Sequence, residues 1–156
     1  MSKVTRLFDD ICSMHPKRIA FIFYHDGSLQ TRTFEDLQND VAIATETLTR
    51  YGVRHGDRIL AFANSSYQLC VYMLATFKIG ASILYVDIWA QQERIQRAFE
   101  HFQPGYILVS NRTKLVRHLF PQIRKIDHII NVDNHVDDPN IFQIYPEPKD
   151  ETIALM

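Results

Sequence analysis

With 156 residues, 46% hydrophobic and 22% charged, the chain is long enough to bury the core of one domain and is composed like an ordinary soluble globular protein. Its formal net charge of −1 excludes the basic footprint of a nucleic-acid binder, and no apolar run is long enough to span a bilayer. The opening MSKVTRLFDD lacks the apolar stretch of a signal peptide, so a cytoplasmic location is expected, with Cys70 reduced and Cys12 far from it in an unrelated pattern.

Val4, Leu7, Phe8, Ile11 and Met14 recur at helical spacing and Pro16 comes just after, which predicts a short amphipathic helix. The run IAFIFY from Ile19, the turn residues from His25 to Ser28 and the alternating LQTRT predict a β-hairpin, since Asp-Gly suits positive φ. Thr33 then caps a helix over residues 34–51. Phe34, Leu37, Val41, Ala44, Leu48 and Tyr51 form its stripe, Asp36 and Asp40 lie among the polar positions, and Gly52 stops it.

Residues 52–88 read strand, helix, strand, the pattern of a parallel crossover. RILAFA from Arg58 is the first buried run and ASILYV from Ala81 the second. The helix between them, Tyr67 to Ile79, has Lys78 as its only formal charge, so it expects cover on both sides; Cys70 within it reads as a buried thiol. The neighbouring helices each carry a polar face. Val71, Leu74 and Phe77 are therefore expected to leave apolar surface open to association.

Further on, a helix is expected over residues 91–103, turned inward through Ile95, Ala98, Phe99 and Phe102. A strand over Tyr106 to Val109, a helix over residues 113–123 and a strand over residues 128–132 come next. Residues 133–150 read as a polar surface excursion, and residues 152–156 (TIALM) as the start of one more strand. The fold class is α/β, with a mostly parallel layered sheet, flanking helices and an N-terminal β-hairpin.

Ligands of open parallel sheets sit beyond the carboxyl ends of the strands. The residues there are Asn64, Ser65 and Ser66, then Asp87 and Trp89, then Ser110, Asn111 and Arg112. Each set reads as a helix cap or turn, with a ligand contact as the alternative. The five glycines are isolated, so neither the dinucleotide fingerprint nor the Walker loop occurs, and the seven histidines show no metal spacing. No G-x-S-x-G elbow is present. No residue is assigned a catalytic, cofactor-binding or metal-ligating role.

These residues, in this order, resemble the opening of the adenylate-forming enzymes, the superfamily of acyl- and aryl-CoA synthetases, amino-acid-adenylating domains and luciferases. Thr33, Phe34, Glu35 and Leu37 match the start of that family's long helix, and Gly52, Val53, Gly56, Asp57 and Arg58 the turn after it. Phe77, Lys78, Gly80 and Ala81 match the end of the family's next helix. Asp87, Glu93 and Arg94 match the loop and helix beyond the second strand, while Tyr85 and Ile88 stand where prolines are usual. Residues 151–156 look like the strand that leads into the family's phosphate loop.

The resemblance implies that residues 1–156 form one incomplete domain, the N-terminal part of the large domain. It implies a parent enzyme that activates a small carboxylate with ATP and magnesium and passes the acyl group to a thiol such as coenzyme A. The chain alone is expected to be inactive, to hold no cofactor, and to need the rest of the enzyme or its own copies as partner. An amino-acid-adenylating domain of peptide assembly and a non-catalytic remnant or subunit stay open, as does a small flavodoxin-like nucleotide binder, which the missing glycine loops disfavour.

Overall fold

The protein is described by a computed structural model over residues 3–25, 28–63, 65–86, 92–111, 113, 120, 123–126 and 128–133. Helix α1 (Lys3–Met14) leads into a hairpin of β1 (Ile19–His25) and β2 (Ser28–Thr33), then α2 (Phe34–Arg50). Next come strand β3 (Arg58–Phe62), α3 (Tyr67–Ile79), β4 (Ser82–Tyr85), α4 (Gln92–Phe102), β5 (Tyr106–Val109), a 3-10 turn (Ile123–Lys125) and β6 (His128–Asn131). β1 and β2 pair antiparallel, and the other four strands form a parallel sheet in the order β4-β3-β5-β6.

β3 is the spine of this sheet. Ile59, Ala61 and Ala63 face one core together with α2, α3, Leu108, Ile130 and Val132. Leu60 and Phe62 face a second core with Ile95 and Phe99 of α4 and with Ile107, Val109 and Ile123. Burial on both faces explains why the strand reads as a continuous apolar run instead of alternating.

The helix boundaries are set by local chemistry. The Asp36 amide donates to Thr33 Oγ1 at 3.2 Å and the Thr33 amide donates to Asp36 Oδ2 at 2.8 Å, a reciprocal capping box for α2. Gly52, just past its end, has φ +90°. α3 starts at Ser66, whose Oγ accepts from the Leu69 amide, and ends at left-handed Gly80.

Sheet on one side and α2 with α1 on the other supply the double cover that the apolar α3 requires. That corrects the expectation of an open α3 face: Val71 is wholly buried, and Leu74 and Phe77 are half-buried. Lys78 reaches α1, pairing with Asp9 at 2.8 Å and lying over the Phe8 ring. Cys70 is half-buried, not buried, while Cys12 is fully enclosed; both thiols are free and both are pushed up by burial.

The inward face of α1 also differs from the expected stripe. Thr5, Phe8 and Cys12 are buried, whereas Val4, Leu7 and Met14 are exposed. Asp40 on α2 is buried and Tyr51, its C-cap, is exposed, the reverse of the sequence reading. The helix expected over residues 113–123 falls largely outside the described residues, as do the excursion beyond residue 133 and the strand at 152–156. No described helix is long and apolar enough to cross a membrane.

Candidate functional site

In the order β4-β3-β5-β6 the chain leaves β3 toward β4 on one side and later leaves β5 toward β6 on the other. The crevice between the carboxyl ends of β3 and β5 is therefore the topological switch point, the place where such sheets bind ligands. Ser65 and Ser66 flank it after β3, and Ser110 and Asn111 after β5.

Thr113 fills this crevice. Its hydroxyl donates to the Phe62 carbonyl at 2.7 Å and accepts from the Ser110 amide at 2.8 Å, so one buried side chain ties the end of β3 to the end of β5. Ser110 Oγ lies 3.0 Å from the same hydroxyl. A second set ties β5 to β6. The Asn111 amide donates to Asp133 Oδ2, Asn131 Nδ2 donates to Asn111 Oδ1 at 2.9 Å, and the Asp133 amide donates to Asn131 Oδ1 at 2.9 Å. Oxygens that already hold main-chain amides are poor ligand sites, because each would have to surrender an existing hydrogen bond.

Of the residues singled out by sequence, Ser66 caps α3, and Ser110 and Asn111 hold the turn after β5. Exposed Ser65 has its Oγ 3.5 Å from the Tyr85 hydroxyl, across the ends of β3 and β4. Asn64, Asp87, Trp89 and Arg112 lie outside the described residues. Among the described residues no group of three or more His, Cys, Asp or Glu side chains is placed to hold a metal ion. Sequence reasoning missed Thr113, Asn131 and Asp133; the Ser-x-x-Thr spacing from Ser110 was the signal available for the first.

Four buried polar groups lie behind this edge. Gln68, 1% exposed on α3, has an amide oxygen with no hydrogen-bond partner among the described residues. One turn on, burial first, then Tyr51 and Asp133, push the Tyr72 hydroxyl up. At the start of α3, Tyr67 donates to Asp40 Oδ2 of α2 at 2.5 Å, its ring edge-on to Phe21 and stacked on Phe23 of the hairpin. Burial, more than the Asp40 charge, pushes the Tyr67 hydroxyl up, and burial raises the Asp40 carboxyl despite that hydrogen bond.

The family profile described as AMP-binding enzyme matches residues 8–153. Tyrocidine synthase 3 of Brevibacillus parabrevis is 25% identical over 98% of this chain, which covers 2% of that protein. Acetoacetyl-CoA synthetase of Caenorhabditis elegans is 24% identical over 63% of this chain and is covered to 14%. Among solved structures, O-succinylbenzoate coenzyme A synthetase of Bacillus subtilis in complex with AMP superposes with a TM-score of 0.68 at 21% identity, over 81% of this chain and 31% of that one. The N-terminal subdomain of Klebsiella oxytoca NpsA in complex with 3-hydroxyanthranilyl-AMSN gives 0.66 at 21% identity, over 83% of this chain and 30% of that one. The chain thus spans a small fraction of the curated relatives it matches and under a third of these two structures.

Proposed function

The chain belongs to the AMP-binding enzyme family, as an N-terminal portion of the adenylate-forming superfamily, and from that premise we propose that it is the scaffold part of an ATP-dependent ligase and not its reaction centre. The complete enzyme would join a carboxylate to AMP, release pyrophosphate, and pass the acyl group to a thiol, coenzyme A being the first choice. Magnesium would neutralise the phosphates and backbone amides would hold them, the usual support for phosphoryl chemistry.

In this reading the described residues are not the ligands of ATP or magnesium; among them no group of three or more His, Cys, Asp or Glu side chains is placed to hold a metal ion. The observation that carries this reading is the carboxyl edge of the sheet, where Thr113, Asn111, Asn131 and Asp133 are taken up in tying strand ends together. Those contacts hold β3, β5 and β6 in register, which is what a platform for a neighbouring phosphate site needs.

A second reading, activation of an amino acid for peptide assembly, draws on tyrocidine synthase 3 matching 98% of the chain. ATP–pyrophosphate exchange tests both. These 156 residues by themselves should give no carboxylate-dependent exchange, while a longer polypeptide containing them should exchange with one class in a panel of fatty, aryl and amino acids. Exchange by the 156-residue chain would overturn the scaffold reading, and the responding class would decide between the two substrates.

A further inference from the structure

We propose that Asp40 and Tyr67 form a proton-controlled latch that holds the N-terminal hairpin down on α2 and α3, closing as Asp40 takes up a proton. The Tyr67 ring is the keystone of the hairpin's docking. Phe23 stacks on it at 5.5 Å and Phe21 meets it edge-on at 5.1 Å, so both inward aromatics of β1 rest on one side chain. The hydroxyl of that ring donates to Asp40 Oδ2 across the α2–α3 contact. Asp40 is 8% exposed and Tyr67 6%, an unusual depth for a carboxylate without a direct ion pair among the described residues.

The charged and titratable groups that face Asp40 come from each neighbouring element. Asp36 lies one turn earlier on α2 and opposes its ionisation, Arg32 on β2 favours it, and Tyr67 on α3 supplies the hydrogen bond. Arg32 is itself held over the Phe23 ring, 5.9 Å from its centre, so the cation belongs to the hairpin being docked. Desolvation, the largest influence, and Asp36 together outweigh Tyr67 and Arg32, leaving the carboxyl above its ordinary value. Phe21 and Phe23 of the hairpin cover the Tyr67 ring whose hydroxyl meets Asp40, so lifting the hairpin would open that contact to water and return the carboxyl toward its ordinary value. Docking therefore takes up a proton, and by linkage it tightens as pH falls and loosens as pH rises through the raised value.

Release would act next to the sheet's carboxyl edge, since Tyr67 directly follows the Ser66 cap of α3. The Phe34 and Glu35 amides, bonded to the Arg18 and Pro16 carbonyls, keep the hairpin's base attached, so the motion is an opening about that base.

Amide hydrogen exchange on the full chain tests the latch, read as protection factors for β1 and β2 against α2 and α3 over a pH series rising from the ordinary carboxylate value of 3.8. In the wild type, hairpin protection should fall with rising pH while helix protection holds. Asp40→Asn keeps an oxygen acceptor for Tyr67 and should flatten the hairpin profile, with protection retained at high pH. Tyr67→Phe keeps the ring stack, removes the hydroxyl, and should lower hairpin protection at every pH. An unchanged pH profile in Asp40→Asn would assign the effect to other groups and overturn the latch, as would a wild-type hairpin whose protection does not vary with pH.

Discussion

Two glycines separate backbone from packing at the residue scale. Gly56 and Gly80 are both left-handed, at φ +87° and +81°, but a Cβ on Gly56 would meet nothing within 4 Å while one on Gly80 would lie 2.5 Å from His55 Cδ2. Gly56→Ala should destabilise by about 1–2 kcal/mol, the strain of a left-handed L-residue. Gly80→Ala should lose more, and adding His55→Ala should bring it back to the Gly56→Ala level; chemical denaturation of the three variants measures this. The Thr33–Asp36 capping box gives a pH prediction. The Thr33 amide, more than any other partner, holds the Asp36 carboxyl below its ordinary value. A lowered folded value means stability that is present above the unfolded value, near 3.8, and is lost as pH falls through the folded one. Asp36→Ala should therefore be less stable than wild type at neutral pH, and its gap to wild type should narrow in acid as the wild-type carboxyl is protonated. A gap that stays constant down to full protonation would remove Asp36 from the account.

Elements were legible where the signal is local. Thr33, Ser66, Gly52 and Gly80 mark helix ends through hydrogen bonds made within a few residues, and each lies where the sequence puts it. β3 was legible because two cores bury it, and α3 because its missing polar face implied a second layer. What sequence could not give was the identity of that layer. Asp40 reads as solvated by type, and its burial comes from a partner, Tyr67, 27 positions away. Thr113 is likewise defined by the Phe62 carbonyl, 51 positions earlier. For α1 the two candidate stripes overlap at Phe8, and hydropathy favours the wrong one because Thr5 and Cys12 are weakly apolar. The Lys78–Asp9 pair, invisible in the order of residues, helps fix how α1 faces α3. Phe8→Ala should therefore destabilise by about 3–5 kcal/mol, whereas Leu7→Ala should stay within about 0.5 kcal/mol. Equal losses in thermal denaturation would return Leu7 to the core.

At the scale of the whole molecule, the exposed aliphatic side chains among the described residues lie on α1 and on the hairpin, not on α3. Val4, Leu7 and Met14 line the outward side of α1 at 51%, 59% and 64% exposure. Ile22 pairs with Thr31, and Leu29 lies on the partner strand two residues before Thr31, so both project from the outer hairpin face; both are exposed. Soluble monomers rarely leave such surface contiguous, and in proteins of this family far more polypeptide is available to cover it than these residues provide. Handled as 156 residues, the chain should therefore bind a second copy of itself through these faces. Sedimentation velocity over a concentration series should show reversible dimers or larger species. The variant Leu7→Lys, Ile22→Lys, Leu29→Lys should shift them toward monomer without lowering the melting temperature, because none of the three side chains is part of either core. Undiminished association of the triple variant would move the interface elsewhere, with the edge of β4 as the next surface to alter, since an edge strand offers unpaired main-chain groups. A wild-type chain that stays monomeric at high concentration would show that these faces are tolerated in water, as scattered surface apolar residues are.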